Sequence, residues 1–219
     1  MPAKAVALPG FSQALRRGGR VRIVAIRSSS TAGVGASSPA ANYPSQLRAL
    51  LETSLPRDEF EVINLGVGGE TAGKTAQRLR RDIPALEPDL VVWQVGTNDA
   101  LAGAQVAAYE ATLRGTLQFL KEQRVDVLLV GMQWTRKLAS NEAYAQVREA
   151  TANVARREGV GIVSRYDAMR QLAEASGSED LIGPDNLHMN DRGYRCMAEQ
   201  VAVTLAHSVD ADTATTGHL

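Results

Sequence analysis

Cysteine is nearly absent from this chain. Cys196 is the only one, which excludes an intrachain disulfide and any cysteine-based metal cluster. It lies in a helical stretch, Tyr194 to Ala206, and reads as a small core filler. Histidine is scarce too: with three in 219 residues, one of them in the C-terminal tail, a multi-histidine metal site is not expected. Neither sign of charge is in excess, since 24 Lys and Arg stand against 24 Asp and Glu. A general binder of nucleic acid or of a membrane surface needs a basic excess that this balance denies. The one basic cluster, Arg16, Arg17, Arg20 and Arg22, has Gly18 and Gly19 inside it and reads as a solvated approach to the first strand. No apolar run approaches the length of a membrane span. Met1 to Gly10 lacks the apolar core and cleavage site of a signal peptide. A cytoplasmic location is the default expectation, with a periplasmic or secreted one left open should a signal have been removed.

What is there reads as one α/β domain. Hydrophobic residues are 44% and charged residues 22%, usual for a globular chain of this size. Short runs rich in Val and Ile predict strands at Val21–Ile26, Phe60–Leu65, Leu90–Val95, Val125–Val130 and Val160–Val163. They are nearly continuous in apolar residues, as strands buried on both faces are. Between them lie helix candidates at Tyr43–Glu52, Thr75–Asp82, Ala104–Gln123, Asn141–Arg157, Tyr166–Ser176 and Asn190–Ala206. In Ala104–Gln123 the residues Val106, Tyr109, Leu113, Leu117 and Leu120 line one helix face. This alternation predicts a three-layer α/β/α sandwich around a five-stranded parallel sheet. The domain is expected over residues 21–207, after an N-terminal extension (1–20) and before a small, polar, disordered tail (208–219). No internal repeat is visible.

In such folds ligands meet the carboxyl ends of the strands, so the loops there carry the chemistry. After the first strand comes Arg27-Ser28-Ser29-Ser30-Thr31, and after the second Gly66-Val67-Gly68-Gly69-Glu70-Thr71. After the third comes Gly96-Thr97-Asn98-Asp99, and near the C-terminus Asp185-Asn186-Leu187-His188. Each supplies one part of an acyl-transfer site. A serine hydroxyl becomes a nucleophile once a base takes its proton. Backbone N–H groups at a glycine turn and the Asn98 amide can donate to an oxyanion. Asp-X-X-His in a tight loop lets a carboxylate hold the imidazole that serves as base. Taken singly, each residue has a plainer reading: loop or cap serines, turn glycines, a capping Asn98, a polar loop His188.

Together, the four segments resemble the conserved blocks of the SGNH (GDSL-like) hydrolases, in that family's order, over about Val21 to Ala206. The resemblance implies a flavodoxin-like fold and a serine esterase that uses no cofactor or metal. Ser29 aligns with the nucleophile, with Ser28 and Ser30 as rivals separated only by register. His188 aligns with the base and Asp185 with the residue that orients it. The oxyanion hole falls on the N–H groups of Ser29 and Gly69 and the side chain of Asn98. The substrate implied is a small-molecule ester, an acylated carbohydrate among the candidates, and the absence of a long apolar lid segment points to short acyl chains. The chain departs from the family where Gly-Asp-Ser reads Arg27-Ser28-Ser29. Glycine there usually marks a special backbone angle. Arg27 could instead meet an anionic substrate group, or mark an impaired, merely binding member of the fold.

Trp93, mid-strand, reads as core, and Trp134 as a residue that could line a pocket. Two other functions stay open at this point. One is acyl transfer to an alcohol acceptor through the same residues. The other is nucleotide hydrolysis, because Gly68 to Thr75 (GGETAGKT) matches the phosphate-binding P-loop pattern after a strand. No strand, however, ends in an Asp placed for magnesium; the nearest, Asp99, lies four residues too far on.

Overall fold

Side chains branched at Cβ fit a pleated surface packed on both faces, and the expected apolar runs fold accordingly. The computed structural model describes residues 7–177 and 179–216. Its strands are β1 (Gly19–Arg27), β2 (Asp58–Gly66), β3 (Leu90–Gln94), β4 (Asp126–Val130) and β5 (Gly161–Val163). The connecting helices among the described residues are α1 (Pro9–Arg17), α2 (Ser29–Ala32), α3 (Tyr43–Ser54), α4 (Ala72–Leu86) and α5 (Thr97–Leu101). They continue as α6 (Val106–Glu122), α7 (Arg136–Ala139), α8 (Glu142–Glu158), α9 (Tyr166–Ser176) and α10 (Asp191–Thr216).

The sheet is parallel throughout, in the order β2-β1-β3-β4-β5. The period of two along each strand sorts its residues into two cores. Val21, Ile23 and Ala25 of β1 join Leu90 and Val92 of β3 under α1, α3 and α10. Val24 and Ile26 join Val91 and Trp93 under α4, α6 and α8. Trp93 is thus core, as expected, and so are Tyr109, Leu113, Leu117 and Leu120 of α6. The expected three-layer fold is the observed one.

Several details differ from the expectation. The stretch set aside as an extension contains α1, opened by Pro9 in its first turn and driving Leu8, Phe11 and Ala14 into the core. Its Phe11 N–H donates to the Asp126 carboxylate at 2.9 Å. The glycines and arginines that follow hide the pattern, yet β1 already starts at Gly19. Arg20 and Arg22 of the basic cluster pair with Glu59 and Glu61 of β2. Helix α10 runs to Thr216, into the segment expected to be disordered, while residues 217–219 lie outside those described. Cys196 is exposed rather than buried, because α10 turns Tyr194, Met197, Ala198 and Val201 to the core. No helix of the described residues is long and apolar enough to cross a membrane.

Candidate active site

The strand order reverses direction at β1, whose neighbours β2 and β3 lie on opposite sides. At such a switch point the loops leaving the carboxyl ends splay apart and leave a crevice. The loops after β1, β2 and β3 are the three that carry the Ser29, Gly69 and Asn98 segments.

Ser29 opens the short helix α2 directly after β1. Two contacts to β2 hold that turn. Asn64 Nδ2 donates to the Thr31 carbonyl at 2.8 Å. Gly66 lies so close under the turn that a Cβ there would stand 2.1 Å from the Ala32 nitrogen, so glycine is the residue that fits. Ser28 and Ser30 are buried, whereas Ser29 is partly exposed. The Ser29 Oγ lies 2.8 Å from His188 Nε2.

His188 sits on a loop closed like a clasp. Ile182 and Met189 form an antiparallel bridge, and the Gly183 N–H donates to the His188 carbonyl at 2.7 Å. Asp185 Oδ1 accepts from the backbone N–H groups of Leu187 and His188 at 3.0 and 2.9 Å. Its Oδ2 lies 2.5 Å from His188 Nδ1. Desolvation pushes the Asp185 carboxyl up, but the hydrogen bonds from His188 and Leu187, with the charge of His188, outweigh it and hold its pKa at about 2. The carboxylate therefore stays ionised and fixes the imidazole with Nε2 turned to Ser29. Gly35 backs the loop: its φ is 92°, and a Cβ would stand 2.5 Å from the Met189 carbonyl.

The remaining expected site residues fall as follows. Gly69 is exposed in the β2–α4 loop, with φ of 74°. The Asn98 Nδ2 donates to the carbonyl of Glu70, the residue after Gly69, at 2.8 Å, so these two segments are joined. Trp134 is buried and borders a small cleft with Met169, Leu172 and Leu181; none of Ser29, Asp185 and His188 lines that cleft.

Arg27 corrects the expectation of a substrate contact. It is only 1% exposed, and its guanidinium turns inward to Asp99 and to the carbonyls of Gln94 and Glu70. Its φ is 138°, a region that favours glycine and strains other residues by about 1–3 kcal/mol. The backbone thus lies in a region that glycine adopts readily, while the side chain is turned into the interior.

The P-loop reading also fails on geometry. Thr75, whose hydroxyl would meet magnesium, donates it instead to the buried Glu70 carboxylate at 3.0 Å. Glu70 is further paired with Arg78. The Ala72 N–H at the start of α4, which a phosphate would need, is held by Asp99 at 2.8 Å.

Sequence reasoning missed a second buried network. Gln133 Oε1 accepts from Thr97, beside Asn98, at 3.1 Å and from Arg165 Nη2 at 2.9 Å. Gln133 Nε2 donates to the carbonyl of Leu187, beside His188, at 3.4 Å. Arg165 is buried and also reaches the sulfurs of Met189 and Met197. The one available signal was a charged residue between an apolar strand and an amphipathic helix.

Comparison with known proteins gives the family. A model of the non-GDSL lipase-like family matches residues 1–211. The chain belongs to that family. Its relation to the SGNH hydrolases, and with it to the carboxylic ester hydrolases, is thereby borne out. Among curated proteins the chain is similar to the esterase TesA of Pseudomonas aeruginosa, 27% identical over 144 residues, covering 64% of this chain and 68% of TesA. Among solved structures, a two-domain esterase active on acetylated mannans superposes with a TM-score of 0.79 at 23% identity. The match covers 95% of this chain but 54% of that one, so this chain spans about half its length. An acetyl xylan esterase superposes with a TM-score of 0.72 at 20% identity, covering 83% of this chain and 98% of its own. At these identities the structural likeness speaks for the fold.

Proposed function

We propose that this family member is a serine esterase that cleaves short-chain carboxylic esters through an acyl-enzyme on Ser29. The observation that carries the proposal is the unbroken contact from Ser29 Oγ to His188 Nε2 at 2.8 Å and from His188 Nδ1 to Asp185 at 2.5 Å. As Ser29 Oγ bonds to the ester carbonyl carbon, His188 Nε2 takes its proton. Asp185 holds the imidazole and stabilises the imidazolium that forms. The carbonyl oxygen becomes an oxyanion, met by the N–H groups of Ser29 and Gly69 and by Asn98 Nδ2. Asn98 Nδ2 carries two hydrogens and gives one to Glu70, which leaves the other for the oxyanion. Collapse of the tetrahedral intermediate breaks the bond to the alcohol oxygen, which receives the proton from His188. Water then attacks the acyl-enzyme with His188 as base, releasing the acid and restoring Ser29. Acetylated carbohydrates are the natural ester class we favour, because the mannan and xylan esterases share this fold.

The test is hydrolysis of p-nitrophenyl acetate and butyrate by the protein beside Ser29→Ala, Ser28→Ala and Ser30→Ala. Turnover should vanish in Ser29→Ala and persist in the other two. Turnover that survives in Ser29→Ala refutes the assignment.

A further inference from the structure

Arg27 is the most fully buried charge beside the site, and its contacts reach three separate segments. Its guanidinium meets the Asp99 carboxylate on α5. Nη1 donates to the Gln94 carbonyl at the end of β3 at 3.0 Å. Nε donates to the Glu70 carbonyl in the β2–α4 loop at 3.4 Å. That same Glu70 carbonyl accepts from Asn98 Nδ2, and Asp99 also accepts from the Ala72 N–H. One side chain therefore joins the end of β1 to the two loops that carry Gly69 and Asn98. A φ of 138° on a non-glycine residue persists only where the surroundings over-determine it.

We propose that Arg27 is a positioning residue for the oxyanion hole, an inference that rests on the esterase reading above. It works in two ways. By holding the Glu70 carbonyl it fixes the peptide between Glu70 and Thr71, one residue beyond Gly69, and the plane of the Asn98 amide, so that the second Nδ2 hydrogen points at the reacting oxygen. By neutralising Asp99, next in sequence to Asn98, it removes a buried negative charge that would oppose the developing oxyanion. The guanidinium serves both ends because its donors form a rigid planar fork, which a lysine ammonium lacks.

The test compares Arg27→Lys, Arg27→Met and Arg27→Met/Asp99→Asn with the unaltered protein, each first checked for folding by near-UV circular dichroism. The first readout needs no turnover: hydrogen exchange of the Asn98 side-chain amide by NMR, its signal assigned by its loss in Asn98→Ala. Exchange should quicken at least about tenfold in Arg27→Lys and Arg27→Met, since the Glu70 carbonyl that holds it is released. The second readout is steady-state kinetics on p-nitrophenyl acetate. In both variants kcat should fall roughly 100-fold with KM within about threefold, because the loss is confined to the transition state. Removing the stranded charge in Arg27→Met/Asp99→Asn should recover about tenfold of kcat relative to Arg27→Met. If Arg27→Met does not fold, Arg27→Lys alone decides. Folded variants with unchanged Asn98 exchange and unchanged kcat, whatever their melting temperature, would make Arg27 a structural residue only and overturn the proposal. Absence of turnover in the unaltered protein would instead strike the esterase reading, and the amide exchange would still decide the position of Asn98.

Discussion

At the residue scale the arrangement turns on a carboxylate that stays charged. Asp185 has its pKa held at about 2, against 3.8 for the free side chain. A carboxyl whose folded pKa lies below its unfolded value adds stability above the unfolded pKa. That contribution is complete above about pH 4 and is lost as the pH falls toward 2. Its side chain is half exposed, so the gain is modest. Asp185→Asn should flatten the acid limb of stability between those values, as measured by urea unfolding at a series of pH values; an unchanged limb would show that the carboxylate is not held as described. The same variant keeps the shape but loses the charge opposite the imidazolium, and kcat on p-nitrophenyl acetate should drop by roughly 100-fold or more. Asn98→Ala removes one oxyanion donor and should lower kcat about 100- to 1,000-fold while leaving KM nearly unchanged. A rise in KM alone would place Asn98 in ground-state binding. Ser29, Asp185 and His188 could be named from the sequence because each sits in a short block that resembles one of the blocks of the SGNH hydrolases. The role of Arg27 could not: its departure from glycine is visible in the sequence, but whether a guanidinium points to solvent or to a buried Asp99 depends on segments 72 residues apart.

At the scale of elements, what the sequence reveals depends on whether an element's partners can be inferred from its own pattern. The strands could be read because each buries both faces, and α6 because its apolar face repeats every three to four residues. Helix α1 escaped because its pattern is short and abuts Gly18, Gly19 and four arginines. Only the folded chain shows that Phe11 is completely buried under the sheet. Phe11→Ala should therefore destabilise the protein by about 3–5 kcal/mol, the usual cost of emptying a core aromatic site. Chemical denaturation measures this directly, and a loss under about 1 kcal/mol would mean that α1 is peripheral after all. Cys196 misled for the converse reason, since the helix pattern there is clear but which of its faces meets the sheet was not read from it. The short elements α2 and α5 were legible only as motif blocks, because they are held by Gly66, Asn64 and the Arg27–Asp99 pair rather than by helix propensity. Gln133 acts between elements: it ties the segment after β4 to Thr97 on α5 and to Leu187 beside His188.

For the molecule as a whole, the order β2-β1-β3-β4-β5 brings the loops that carry Ser29, Gly69 and Asn98 to the carboxyl ends of adjacent strands, where a crevice opens. Ser29 is partly exposed, Gly69 is exposed, and the His188 side chain keeps 18% of its surface open. Val34, Val67 and Leu101, each nearly half exposed, lie in the connections that follow β1, β2 and β3, Leu101 at the end of α5. Exposed apolar side chains in separate connections can touch an acyl chain from one side but cannot enclose it. Enclosure is what makes length favourable: each methylene fully removed from water is worth about 0.8 kcal/mol, or roughly fourfold in kcat/KM. An open crevice forgoes most of that gain, while the cost of ordering a longer chain remains. Measured over p-nitrophenyl acetate, butyrate, hexanoate and octanoate, kcat/KM should therefore stay level or fall with length. A climb approaching fourfold per methylene would mean that the loops close over the acyl chain in the working enzyme, and would move the preferred substrate from acetylated sugars toward lipids.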